Sequence, residues 1–362
     1  MAWSDNNTAT GGVSRLGQAG GANSVNALFL RQFAGVVLTS FEEKNIAMPL
    51  HRVRTIKNGR TAQFPSIGTI DANYHTAGEV VFGDKANHGE ITVSVDDLLL
   101  SAAFIPKIDE AINHYEVRST YSKEMGNALA NAADRNIFSM VYQSATGAAV
   151  TNGDASGYWT EGDFASLSDS DNDDGGSAAG TAGVINLSGA ADDSATGAFT
   201  AANFVDSVFA ALQKFDEHDV GGEKYLVVTP KAYYTLFGAS ADLAVMNRDF
   251  AGTGSAALGQ APTIGGVKVL MSNHLPTVDA KTPNPLADSV GSGSIGKYRG
   301  AGTYNAALQG LIFTKDAAAT VKLMDLGVES EYQIDRQGTL MVAKYAMGHN
   351  RLRGKSAIAL VS

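Results

Sequence analysis

Apolar residues recur at helical spacing from Ser24 onward, at Val25, Leu28, Phe29, Phe33, Val36, Val37 and Phe41, with Ser24 placed to cap the first turn. The pattern predicts an amphipathic helix over 24–41. Its stripe can dock on a neighbouring subunit, with Phe29 and Phe33 as candidate contacts, or pack on its own domain, which the pattern alone favours. Residues 1–23, rich in Gly, Ala, Asn and Thr, show no periodicity and predict a flexible arm. Beyond the helix the period becomes two. Residues 51–57 and 60–65, separated by Asn58-Gly59, predict strand, type I′ turn and strand, and Ile91, Val93 and Val95 predict a returning strand. The stretch 69–89 is polar and punctuated by glycine, so this two-stranded extension lacks an apolar layer of its own and needs something to lie against.

Helical spacing returns over 108–145, where Asp109 and Glu110 suit a helix N-terminus. Ile112, Tyr115, Met125, Leu129, Ala132, Ala133, Ile137 and Val141 mark the buried side. At ~1.5 Å per residue this is a strut about 50 Å long. Residues 146–199 are mostly Gly, Ala, Ser, Thr and Asp and predict a long surface excursion. From Thr200, the positions Phe204, Val205, Val208, Phe209, Leu212 and Phe215 predict a second amphipathic helix. A strand at 225–229, a short helix opened by Pro230 and a strand at 267–271 follow, which together make a compact α/β unit. Strands at 320–326, 340–347 and 356–361 complete the chain, so the fold class is α+β.

A chain of 362 residues holds about two structural units. It contains no cysteine, which excludes disulfides, thiolate zinc sites and thiol nucleophiles. Acidic residues outnumber basic ones 37 to 27, and a net charge of −10 opposes sequence-specific grip on nucleic-acid phosphates. The start carries no secretory pattern, and the longest apolar stretch, 27–41, is broken by Arg31 and Gln32 and falls short of the ~20 residues a bilayer span needs. A soluble protein made in a cytoplasm is expected.

Motifs for catalysis or metal binding are absent or incomplete. The stretch 291–298 nearly matches a phosphate-cradling loop but has Tyr298 where Ser or Thr must hold magnesium, and in a chain with 40 glycines such matches arise by chance. Gly354-Lys355-Ser356 has His349 where that motif needs its first glycine. The acidic run Asp169, Asp171, Asp173 and Asp174 lacks the Gly and Glu of a calcium loop, leaving a solvated acidic loop. Histidines at 51, 75, 88, 114, 218, 274 and 349 form no metal-binding pair, and no Gly-x-Ser-x-Gly elbow occurs. No catalytic, cofactor or metal site is expected. Arg351, Arg353 and Lys355 alternate with Leu352 and Gly354, so an extended strand there would set three cations on one face, turned to a neighbour's carboxylates or to solvent.

Several segments resemble the capsid proteins of short-tailed phages of the T-seven type, and the order of elements resembles the major capsid fold shared by tailed phages and herpesviruses. They are 27–33 (ALFLRQF), 62–65 (AQFP), 109–119 (DEAINHYEVRS), 320–326 (TVKLMDL) and, above all, 343–349 (AKYAMGH). The resemblance implies an N-terminal arm (1–55), an extended loop overlapping a neighbouring subunit (56–98), and a peripheral domain (99–199 and 316–362) with its spine helix at about 109–145 and an insertion at about 146–199. It also implies an axial domain (200–315) meeting its copies at hexamer and pentamer centres. It further implies self-assembly around a scaffolding protein, a portal, enclosed double-stranded DNA held without sequence specificity, maturation by expansion, no membrane, and residence in the virion after assembly in the host cytoplasm. On that reading Arg52, Arg54, Lys57, Arg60, Arg351 and Arg353 are candidate cations reaching carboxylates across subunit boundaries, with Glu79, Asp84 and Glu90 among the acceptors. Another self-assembling virion or surface-layer protein is the alternative.

Overall fold

The computed structural model describes residues 44–67, 88–108, 118–146, 184–186, 201–236, 263–277 and 305–362, with single positions elsewhere, and the chain divides into two compact units. The first draws on 1–46, 95–134 and 322–347. Its core holds Val37, Phe41, Ile105, Met125, Leu129, Met341 and Tyr345, all buried. Strand β4 (Leu99–Pro106) pairs antiparallel with β10 (Gly338–Arg351), setting Tyr345 opposite Leu99 and Gly338 opposite Pro106. Strand β9 (Ala318–Gln333) lies on the other side of β10. The turn between β9 and β10 needs a left-handed residue, which Gln337 supplies at φ 50°. Gly338 follows because any Cβ there would meet the Phe104 ring and the Ile105 carbonyl.

The long helix α1 (Arg118–Thr146) spans 29 residues, about 43 Å at ~1.5 Å per residue. Met125, Leu129 and Ala133 lie on its buried side in the first unit, as the spacing predicted. Gly126 lets another helical segment approach closely: a Cβ there would sit 2.7 Å from the Val37 carbonyl oxygen. Ser40 Oγ completes the contact, 3.0 Å from Lys123 O and 2.9 Å from Asn127 Oδ1. The described end of the N-terminal stripe, Val37 and Phe41, therefore packs on its own unit. Residues 24–36, with Phe29 and Phe33, lie outside the described residues, as do 109–117 with Ile112 and Tyr115.

The second unit draws on 47–94, 135–321 and 348–362. Its centre is a five-stranded sheet in the order β5 (Val184–Asn186), β11 (Ala357–Val361), β8 (Leu308–Thr314), β6 (Lys224–Val228) and β7 (Lys268–Met271). The pairs β5–β11 and β6–β7 are parallel, and β8 runs antiparallel to both β11 and β6. Every residue of β8 and β11 is buried, which is why β11 and the centre of β8, Leu311-Ile312-Phe313, read as apolar runs without alternation. Helix α2 (Ala201–Glu217) buries Phe204, Val208, Ala211 and Phe215 in one cluster with Leu226, Ile312 and Leu360. Helix α3 (Pro230–Thr235) is capped by Thr229, whose hydroxyl accepts from Ala232 N at 3.2 Å, with proline at the first helical position. Phe138 of α1 meets Phe313 of β8 edge to face, with ring centroids 6.5 Å apart.

Two sequence expectations change. The segments around Asn58-Gly59 are strands, β1 (Arg52–Thr55) and β2 (Thr61–Ile67), but not a hairpin: β1 lies beside β9, whereas β2 pairs with β3 (His88–Ser94). A type I′ turn needs positive φ at both central residues, and here Gly59 alone has it, at 96°. The β2–β3 ladder also carries apolar cover, since Ala62 and its partner Val93 are both buried. The second change is at the C-terminus. Strand β10 ends at Arg351 and Gly354–Ser356 forms a 3-10 turn, so Arg351, Arg353 and Lys355 do not share one face of an extended strand.

Candidate subunit-contact surfaces and a buried polar row

Strand β1 and the link after it form the most basic stretch of the chain, with Arg52, Arg54, Lys57 and Arg60 and no Asp or Glu from 51 to 70. All four side chains of β1 are exposed, which is unusual for a paired strand. Two of these cations are already engaged. Arg52 Nε donates to Asp316 Oδ1 at 2.5 Å, an exposed pair contributing about 0–1 kcal/mol. Arg54 Nη1 donates to the Gln63 carbonyl at 3.0 Å, and its guanidinium lies 5.9 Å from the Phe64 ring centroid. Lys57 and Arg60 are exposed and have no charged partner among the described residues.

Of the acceptors, Glu90 takes a hydrogen bond from Gln63 Nε2 at 2.8 Å across the β2–β3 ladder. Glu79 and Asp84 lie outside the described residues. Arg353 is exposed, and its backbone N–H donates to Asp316 O at 3.2 Å, so Asp316 collects both Arg52 and Arg353. Arg351 is half-buried, with its backbone N–H on Asn350 Oδ1 at 2.9 Å.

The structure also assembles a buried row that sequence reasoning missed. His51 Nδ1 lies 2.8 Å from Ala47 O, His51 Nε2 2.5 Å from Thr320 Oγ1, and Thr320 Oγ1 2.7 Å from His349 Nδ1. His349 N donates to Tyr298 Oη at 2.9 Å, and the two rings meet edge to face at 5.7 Å. Ser139 Oγ in turn donates to Tyr298 O at 3.1 Å. His51, Thr320, His349, Tyr298 and Ser139 are all buried. The two histidines stand 298 positions apart by their numbering, so no local spacing could have signalled the pair. Tyr298, the residue that broke the phosphate-loop match, thus has a structural place in this row. The rest of that stretch, 291–297, lies outside the described residues, as does the acidic run at 169–174.

Among the described residues no group of three or more His, Asp or Glu is placed to hold a metal ion. A cleft of about 340 Å³ between α2 and the turn before β7 is lined by Asp216, Glu223, Lys224 and Lys268, without histidine or serine. Two of its charges pair with each other, Lys224 with Asp216 at 2.6 Å, and Glu223 accepts from the Tyr225 hydroxyl at 2.6 Å. No described helix is long and apolar enough to cross a membrane.

Comparison with known proteins gives these surfaces their context. A family model described as "Gp10A-like: Major capsid protein" matches residues 63–361. The major capsid protein of Escherichia phage T7 is 30% identical over 350 residues, covering 92% of each chain. Among solved structures, the capsid of cyanophage P-SCSP1u superimposes with a TM-score of 0.68 at 32% identity, covering 88% of each chain. The mature capsid of bacteriophage PhiM1 shares the fold at 14% identity, with a TM-score of 0.63 over 88% of this chain and 86% of its own. The match spans both compact units and extends from within β2 to the end of β11, and on that ground the chain belongs to the Gp10A-like family of phage major capsid proteins, structural subunits of the virion shell.

Proposed function

We propose that the chain assembles into the hexamers and pentamers of a closed icosahedral head, around a scaffolding protein and with a portal, and that this head encloses double-stranded DNA and expands on maturation. Assembly takes place in the host cytoplasm, and the role is structural rather than enzymatic. Residues 1–55 act as the arm, 56–98 as the loop that overlaps a neighbour, 200–315 as the axial domain, and 99–199 with 316–362 as the peripheral domain. A net charge of −10 supports a lining that contains DNA without gripping it.

The observation that carries this reading furthest is the set of exposed cations Arg52, Arg54, Lys57 and Arg60, in a stretch of sequence (51–70) without Asp or Glu, on an otherwise acidic chain. Such a stretch is complementary to the rest of its own copies. Arg52 and Arg54 have partners within the chain, so Lys57 and Arg60 are the cations that reach a neighbour's carboxylates, Glu79, Asp84 and Glu90 among them. Arg351 and Arg353 form a second basic contact, and Phe29 and Phe33 an apolar one. The test is Lys57→Glu with Arg60→Glu, expressed beside the scaffold. Particle yield should fall at least about tenfold, the effect of ~1.4 kcal/mol at each contact, while the soluble subunit keeps its circular dichroism and melting point. Undiminished particle yield would contradict the assignment.

A further inference from the structure

The His51–Thr320–His349 row can be followed proton by proton. His51 Nδ1 faces a carbonyl, Ala47 O at 2.8 Å, and must therefore carry a proton. With a neutral ring, His51 Nε2 is then an acceptor, and the only proton that reaches it along the row is the one on Thr320 Oγ1. Thr320 Oγ1 in turn accepts from His349 Nδ1–H. One arrangement thus satisfies these three contacts with both rings neutral: His349 Nδ1–H to Thr320, Thr320 O–H to His51, His51 Nδ1–H to Ala47.

One added proton reverses this order. If His51 Nε2 takes it, Nε2–H points at Thr320 Oγ1, the hydroxyl proton turns to His349 Nδ1, and His349 shifts its own proton to Nε2. The balance is a single proton gained by the row, with one tautomer exchanged and one hydroxyl turned. We infer that His51, Thr320 and His349 form a one-proton switch, in which the charge of His51 and the tautomer of His349 change together through the Thr320 hydroxyl. The charged state places an imidazolium where His51 is 5% exposed, and burying a charge is costly. Acid therefore loosens the contact that holds 47–51 to β9 and β10. Ionisable groups on the elements carrying the row include Arg52, held by Asp316, and Arg54 on β1, Lys322, Asp325, Glu329, Glu331 and Tyr332 on β9, and Lys344, Tyr345 and Arg351 on β10, with Tyr298 beside His349. Helix α1 adds the buried Asp134, which accepts from Ile46 N at 3.1 Å, and Arg135, which acts on His274. The row holds the segment that feeds β1, so acid would free the base of the basic stretch without unfolding the five-stranded sheet.

The test is nitrogen-15 NMR of the soluble full chain with labelled histidine rings, titrated from about pH 8 to about pH 5, the range in which imidazole changes charge. The wild type should show His51 and His349 ring shifts moving with one shared midpoint, His349 exchanging Nδ1–H for Nε2–H. Amide exchange at Leu50 and His51 should rise at least about tenfold over the same range, an effect of ~1.4 kcal/mol on local opening. Thr320→Val keeps the volume and removes the hydroxyl, and in it the two midpoints should separate. Should that variant fail to fold, Thr320→Ser must retain the shared midpoint. Independent titration of the two rings in the wild type, or a shared midpoint surviving Thr320→Val, would overturn the inference.

Discussion

The central sheet of the second unit and the strand β1 occupy opposite extremes of self-sufficiency. In β8 and β11 every side chain is buried by the chain's own residues, whereas in β1 every side chain is exposed. Both regions are strands with partners, so hydrogen bonding does not separate them; the source of apolar cover does. The sheet is covered by α2 and α1 from its own chain. β1 has no such cover, and its cations outnumber the carboxylates available locally. Substitutions in the first region should therefore act on folding, and substitutions in the second on assembly.

The largest effect should come from Phe138→Ala, which empties space beside Phe313 at the heart of the sheet region. It should cost about 3–5 kcal/mol in denaturant unfolding, and shells should fail because subunits do. Gly338→Ala is next. The added Cβ meets the Phe104 ring and the Ile105 carbonyl, so a loss of about 1–3 kcal/mol is expected, read from the melting point. Removing the α3 cap with Thr229→Ala should cost roughly 1 kcal/mol.

How far the sequence foretold this contrast depended on where each signal lies. The amphipathic helices α1 and α2 were legible because one face repeats every turn, and Met125, Leu129, Ile137, Phe204 and Phe215 are buried as that spacing required. Strands β4 and β8 were not foreseen. Leu99-Leu100-Ser101-Ala102-Ala103 and Leu311-Ile312-Phe313 give no polar alternation, and a short apolar run does not declare its period. Asn58-Gly59 misled because turn chemistry is local whereas the choice of partner strand is not: β9, more than 250 positions away, offers β1 its edge. The row at His51 and His349 was invisible for the same reason.

Smaller effects sharpen the comparison. Tyr345 is buried with its hydroxyl unpartnered among the described residues, and burial, reinforced by Asp134 and Asp96, pushes the phenol well above its usual range. The native state therefore binds this proton more tightly than the unfolded chain does. Stability from this group is complete below about pH 10 and declines as the pH rises beyond it, where the unfolded tyrosine ionises. Tyr345→Phe should reduce that alkaline loss and, at neutral pH, leave stability unchanged or raise it by about 1 kcal/mol, measured by urea unfolding across pH. Smallest of all, the exposed Lys344–Glu329 pair at 2.7 Å should yield no more than about 0.5 kcal/mol in a double-mutant cycle.

Electron cryo-microscopy of the chain expressed with a scaffolding protein tests the central claim most directly. Closed icosahedral shells, in which Lys57 and Arg60 lie against carboxylates of an adjacent copy while β8 and β11 keep the pairing described above, are the predicted result. Subunits that stay monomeric with the scaffold present, or shells in which Lys57 and Arg60 face open solvent, would contradict it.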